Sequence, residues 1–169
     1  VSAVAFDPMN GWIVHLGTDG GLYRSSNGGK TFNFVYDGGF WSAIAVAPSN
    51  SNIIYAARQS TYSSTDPQIY RSPNQGLNWQ YVGSLPAGSR VIKLEVQPNN
   101  PSRLFAVSGY EKLCASTRPR RALFVSSNSG ATWTDAHGDS TNQGMTGNPW
   151  DAVYDPVHPD TIFTTSVVG

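Results

Sequence analysis

Three copies of one octet constrain this chain more than anything else in it. They read Ser25-Ser26-Asn27-Gly28-Gly29-Lys30-Thr31-Phe32, Ser72-Pro73-Asn74-Gln75-Gly76-Leu77-Asn78-Trp79 and Ser126-Ser127-Asn128-Ser129-Gly130-Ala131-Thr132-Trp133. The shared pattern is Ser-x-Asn-x-Gly-x-(Thr/Asn)-aromatic. Its fixed positions are Ser25, Asn27, Gly29 and Phe32, then Ser72, Asn74, Gly76 and Trp79, then Ser126, Asn128, Gly130 and Trp133. Serine hydroxyls and asparagine amides bond nearby backbone groups, and glycine takes positive φ without cost. Each octet is therefore expected to be a hairpin tip, with its aromatic residue as the first large side chain of the returning strand.

A second feature recurs four times: a short apolar strand, a Pro, a polar turn and another apolar strand. It runs Ala3–Phe6 to Pro8 then Trp12–Leu16, Ile44–Ala47 to Pro48 then Ile53–Ala56, Leu94–Gln97 to Pro98 then Leu104–Val107, and Ala152–Asp155 to Pro156 then Thr161–Phe163. Counting back from each Pro, Phe6, Val46, Val96 and Tyr154 stand at minus two, and Val4, Ile44, Leu94 and Ala152 at minus four. Period two is the strand signature, and Pro, which donates nothing to a ladder, marks the strand's end. A third strand runs into each octet (Leu22-Tyr23-Arg24, Ile69-Tyr70-Arg71, Leu123-Phe124-Val125) and a fourth runs out of it. The octets begin 47 and then 54 residues apart, a spacing that fits propeller blades. The expected class is all-β: a partial β-propeller with three four-stranded antiparallel blades at 1–37, 38–84 and 85–135. A long inter-blade loop at 136–149 then leads to the first two strands of a fourth blade at 150–169.

Composition agrees. Seventeen Gly, eleven Pro and twenty aromatic residues, with 13% charged residues, suit many short strands joined by tight turns. Lys plus Arg balance Asp plus Glu at 11 each, so no global field recruits nucleic acid or an anionic membrane. Cys114 is the only cysteine, which rules out an intrachain disulfide and a thiolate zinc site. No apolar run approaches the roughly 20 residues that span a bilayer as a helix. His15, His137 and His158 are widely spaced, so no metal site or Ser-His-Asp arrangement is expected. Gly28-Gly29-Lys30-Thr31 lacks the spacing of a phosphate loop. No cofactor and no metal are expected.

The octets resemble the Asp-box, or bacterial neuraminidase repeat, whose consensus is Ser-x-Asp-x-Gly-x-Thr-Trp, with Asn27, Asn74 and Asn128 here at the Asp position. Within that group the run Gly17-Thr18-Asp19-Gly20-Gly21-Leu22-Tyr23-Arg24-Ser25, set after Asp7-Pro8, is similar to xyloglucan-cleaving endoglucanases; sortilin-type receptors share the same blade. The resemblance implies an extracellular or cell-surface protein. Propellers usually close with 4–8 blades, so the chain is expected to be a fragment of a longer one, completed by its remaining blades, or to close its ring with identical subunits.

The insertions fall on one face, at Arg58–Gln68, Ser108–Arg121 and Asp135–Pro149, and loop variation marks that face for binding. Candidate ligand-binding residues there are Asp37, Trp41, Tyr62, Asp66, Tyr110, Arg118, Asp139, Trp150 and Asp151. Phe40, Arg120, Arg121 and His137 share the face. Exposed aromatic platforms beside carboxylates suit a glycan; Trp41 and Trp150 equally suit plugs between blades. Glycoside hydrolysis needs two carboxyl groups. The resemblance implies one candidate, Asp19, in a context one residue shorter than that of the endoglucanases, and the bland reading makes it a turn residue. Three functions follow: a rigid scaffold binding protein or glycan, part of a secreted glycoside hydrolase, or a self-assembling structural protein.

Overall fold

The computed structural model describes residues 1–59, 67–86, 89–110, 122–136 and 148–167. Among them every regular element is a strand. The first sheet comprises β1 (Ala3–Phe6), β2 (Val14–Gly17), β3 (Gly21–Ser25) and β4 (Asn33–Asp37). The second comprises β5 (Phe40–Val46), β6 (Ile54–Gln59), β7 (Gln68–Ser72) and β8 (Gln80–Ser84). The third comprises β9 (Ser89–Val96), β10 (Leu104–Tyr110), β11 (Ala122–Ser126) and β12 (Thr134–Asp135). The last holds β13 (Asn148–Tyr154) and β14 (Ile162–Val167). Strands neighbour one another in chain order and pair antiparallel throughout. The architecture is that of a partial β-propeller.

Each octet is held by its serine. Ser72 is fully buried; its Oγ accepts from the amides of Asn74 (3.3 Å) and Gly76 (2.8 Å) and donates to Asn74 Oδ1. Ser25 and Ser126 repeat the pattern. The Asn oxygen also takes the amide four residues on, at Thr31, Asn78 and Thr132. In the first and third copies its Nδ2 donates to Thr31 or Thr132 Oγ1 at 2.8 Å. A neutral amide thus does the work of a carboxylate by making the threonine an acceptor. Gly29, Gly76 and Gly130 have φ of 84°, 78° and 84°, which explains the invariant glycine of the pattern.

Two details differ from the expectation. Phe32, Trp79 and Trp133 end the turn, and the strands start one residue later; the Trp79 and Trp133 indoles donate back to Gly76 O and Gly130 O at 3.0 Å, which clamps each turn on itself. Trp12 and Ile53 also lie before their strands, because the Pro segments close with paired backbone bonds such as Asp7 N to Ile13 O and Ala47 N to Ile53 O. The two motifs of each repeat then bond to one another: Gly28 N to Trp12 O, Gln75 N to Asn52 O and Ser129 N to Ser102 O. The three octets and the Pro turns bonded to them are thereby gathered at one end of the sheets, and the strand ends that lead into the variable loops lie at the other.

First strands converge, with β1 beside β5, β5 beside β9 and β9 beside β13, while no comparable contact joins β4 to β8. The core lies between sheets. Leu22, Trp41, Ile44, Ile54, Ala56, Tyr70 and Trp79 fill the first joint. Tyr55, Ile69, Leu94, Leu104 and Phe124 are among those filling the second, and Phe105, Val107, Leu123, Ala152 and Tyr154 fill the third. Each large apolar side chain buried this way contributes about 1.5–3 kcal/mol. Polar links cross the joints too: Arg24 Nε donates to Gln75 O at 2.9 Å, Tyr55 Oη to Pro101 O at 2.7 Å and Gln97 Nε2 to Pro159 O at 2.7 Å.

Candidate functional site

At the loop-bearing end, the inner strands share an irregularity that the sequence did not signal. The ladder slips between Trp41 and Ala43 in β5, between Val107 and Ser108 opposite β9, and between Pro149 and Asp151 in β13. One residue is left over each time: Ser42, Ile92 and Trp150, each six positions before its Pro. A bulge re-aims side chains and breaks regular pairing. The residues before the extra one, Trp41, Val91 and Pro149, are all buried, while Ile92 and Trp150 remain exposed.

Around these bulges is a cavity of about 290 Å³ lined by Ser2, Phe40, Ser42, Arg90, Val91 and Ile92. Ser2 holds the matching position in the first sheet. The Arg90 guanidinium carbon lies 5.4 Å from the centre of the Phe40 ring, within cation–π range, and Arg90 is exposed. Ser42 Oγ is buried without a partner. The floor thus offers a hydroxyl, the wall an aromatic face and the rim a cation. Beside it, the linker Gly38-Gly39 adopts φ of 90° and 76°. A Cβ on Gly39 would come within 2.8 Å of Arg58 Nε, so Arg58 lies against the bare backbone and reaches on to Tyr70 Oη at 3.2 Å.

The expected site residues separate into groups. Trp41 is fully buried in the first joint, its ring 5.1 Å from Tyr70 and 5.8 Å from Tyr36, so it is a plug and presents no platform. Trp150 is 53% exposed. Asp151 is engaged: its Oδ1 accepts from Lys93 Nζ at 2.7 Å and from Ala152 N at 2.8 Å, and the Lys93 bond foremost holds its carboxyl below the usual carboxylate range. Lys93 also approaches Glu95 at 3.5 Å, and Glu95 Oε1 accepts from Tyr154 N. Asp151 therefore ties the inner strands of the last two sheets together.

Asp19 and Asp37 are exposed at the same end of the first sheet, since Asp37 pairs with Gly21. Asp19 sits in a turn closed by Thr18, whose Oγ1 donates to Gly21 O and accepts from Gly20 N. Tyr110 ends β10. Tyr62, Asp66, Arg118, Asp139, Arg120, Arg121 and His137 lie outside the described residues. Arg90 was not legible in the sequence, because a lone arginine at the start of a strand carries no motif.

The model of the Sortilin-Vps10 family, described as sortilin, neurotensin receptor 3, matches residues 20–166. No curated protein matches the chain. Among solved structures, the GH74 enzyme from Niastella koreensis is 26% identical with a TM-score of 0.66, over 93% of this chain and 24% of that one. The GH74 xyloglucanase from Xanthomonas campestris is 22% identical with a TM-score of 0.60, over 79% and 20%. YCF48 bound to D1 peptide is 13% identical with a TM-score of 0.58, over 91% and 44%. The chain thus spans less than half the length of each of these structures.

Proposed function

Since this chain belongs to the Sortilin-Vps10 family, we propose that it is a rigid scaffold binding a protein or glycan at its loop-bearing end, in an extracellular or cell-surface setting. The observation that carries this reading is the cavity at the inner-strand bulges, with Arg90 over Phe40 at its rim. Bulged strands held by three packed joints keep its walls in place, so binding costs little ordering. Arg90 selects a partner that brings a carboxylate or other anionic group, and Phe40 with Ile92 takes an apolar face such as a sugar ring or an aliphatic side chain. A peptide partner is supported by the similar fold of YCF48, which was solved with a peptide bound. The test is a glycan array run beside capture of a purified protein partner, each with the intact chain and with Arg90→Ala. Affinity should fall about tenfold, or about 1.4 kcal/mol, while the unfolding midpoint stays within error because Arg90 is exposed. Binding unchanged in both Arg90→Ala and Phe40→Ala would place the partner elsewhere.

A second reading, part of a glycoside hydrolase, is favoured by the 26% identity to the Niastella enzyme over nearly the whole chain. On it Asp19 supplies one of the two carboxyl groups such chemistry requires. The second carboxyl group would lie outside this segment, so the chain alone should not hydrolyse xyloglucan. Reducing-sugar release by the whole enzyme of which it would be part should drop at least a hundredfold in Asp19→Asn, the order of a lost general acid or base. Activity that persists in the variant removes Asp19 from the mechanism.

A further inference from the structure

Asparagine followed by glycine occurs twice in the chain, at Asn10-Gly11 in the first Pro turn and at Asn27-Gly28 in the first octet. The pair is reactive for a stereochemical reason. A glycine amide, with no Cβ beside it, can swing onto the side-chain carbonyl carbon of the asparagine before it. What decides the outcome is whether the fold already uses that amide.

The two kinds of turn treat it in opposite ways, each consistently through its repeats. In every octet the residue after Asn gives its N–H to the Pro turn of the same repeat: Gly28 N donates to Trp12 O at 2.9 Å, Gln75 N to Asn52 O at 3.0 Å and Ser129 N to Ser102 O at 2.8 Å. The Asn27 side chain is tied as well, its Nδ2 donating to Thr31 Oγ1 at 2.8 Å while Oδ1 accepts from Ser25 Oγ and Thr31 N. In the Pro turns the Asn oxygen accepts the amide two residues on, at Trp12, Asn52 and Ser102, and the amide between is skipped. Gly11 N and Ser51 N donate to nothing among the described residues, and Pro101 and Pro159 hold the same place without an N–H. Asn10 is exposed, and its Nδ2 has no partner among the described residues. Asn50, which has a sheet on either side, is exposed too, so this openness belongs to the repeat.

We infer that Asn10 is a site of spontaneous deamidation, while the first octet holds Asn27 unreactive. Gly11 N forms a bond to Asn10 Cγ and gives up its proton, the bond from Cγ to Nδ2 breaks, and the side-chain nitrogen leaves as ammonia. One water then opens the cyclic imide at either carbonyl, giving aspartate or isoaspartate; nothing is oxidised or reduced. In isoaspartate the main chain gains a carbon between residues 10 and 11. That disturbs the bond from Ile13 N to Asn10 O, 2.9 Å long, and the seat of Trp12 against Gly28, where an added Cβ would fall 3.2 Å from the indole. Each event also adds one negative charge to a chain whose formal net charge is zero. It does so at the octet end, away from the cavity at Arg90.

The experiment incubates the full chain in mildly alkaline buffer, with and without denaturing urea, cleaves it after its lysines and arginines, and follows the mass change from amide to acid. Arg24 and Lys30 separate the two sites, because residues 1–24 and 25–30 each carry a single asparagine and no glutamine. In the folded chain 1–24 should convert at least about tenfold faster than 25–30, equivalent to about 1.4 kcal/mol of barrier. In urea the two should convert at comparable rates. Gly11→Ser copies Ser51 at a position where φ lies outside the left-handed region and a Cβ meets nothing within 4 Å. This variant should keep the parent's unfolding midpoint while conversion in 1–24 slows about tenfold. Equal rates at the two sites in the folded chain would overturn the inference. So would a 1–24 segment that converts only in urea or not at all, or whose conversion Gly11→Ser leaves unchanged.

Discussion

Replacing Trp41 by Ala should cost about 3–5 kcal/mol of folding stability, the usual range for emptying a large aromatic site in a core. Trp41 is fully buried, packed among Tyr36, Tyr70 and Trp79, and joins the first two sheets at that end. Its amide donates to Thr18 O at 2.9 Å, and a Cβ on Gly17 would fall 2.8 Å from Trp41 O, so the first sheet closes tightly on it and has little freedom to collapse into a void. A domain is typically stable by only 5–15 kcal/mol, so the variant should unfold at markedly lower urea with an unchanged slope. Trp41→Phe should lose less, because the Trp41 Nε1 proton is buried without a partner and its removal relieves an unsatisfied donor. The measurement is a urea melt followed by near-ultraviolet dichroism. A Trp41→Ala midpoint close to that of the parent, accompanied by lost ligand binding, would return Trp41 to the role of a surface platform.

Why Trp41 was ambiguous in sequence is instructive. Strict alternation from Pro48 places Trp41 on the side of Ala43 and Ala45, facing the third sheet. The extra residue Ser42 shifts the phase, so that Trp41 pairs with Arg58 while Ala43 pairs with Ala57, and the indole turns to the side of Ile44. A one-residue slip in a strand exchanges its two faces, and nothing in Phe40-Trp41-Ser42-Ala43 announces it. The octets and Pro turns were legible because their chemistry is local: Ser72 binds amides two and four residues away. The cavity was not, because Phe40 of β5, Arg90 and Ile92 of β9 and Ser2 just before β1 come together only through the way the sheets pack. Asp151 looked like a binding acid for the same reason, since its partner Lys93 is 58 residues away. Loop length pointed to one end of the molecule and named residues on the loops, whereas the described surface there is built from strand ends.

The first joint should also come apart with acid, through His15. Seven residues after each Pro stand His15, Tyr55, Phe105 and Phe163, so a histidine occupies a place that the other sheets give to an aromatic ring. It is 2% exposed, and neither ring nitrogen has a partner. Its ring lies against the second octet, where a Cβ on Gly76 would fall 2.8 Å from Cε1. Burial, chiefly, and the Arg24 charge lower its pKa from 6.5 to about 4, with Asp7 opposing. A neutral His15 in the fold and a normal one in the unfolded chain means that the unfolded state binds more protons between those values. Stability is therefore fully present above about pH 6.5 and is lost as pH falls toward 4, by about 3 kcal/mol in all. The slope approaches about 1.4 kcal/mol per pH unit in mid-window. Asp151 and Asp155, whose carboxyls are held below the usual range by Lys93 and by the amides of Val157 and His158, lose their contribution only at lower pH. His15→Phe copies Phe105 and Phe163, removes two unsatisfied nitrogens and leaves both carboxylates in place. Its urea midpoint should change little between pH 7 and pH 4.5, while the parent midpoint should fall by an amount equivalent to about 2 kcal/mol over the same interval. Parallel declines in the two proteins would show that protonation elsewhere loosens the sheets and that His15 is only a space-filling ring.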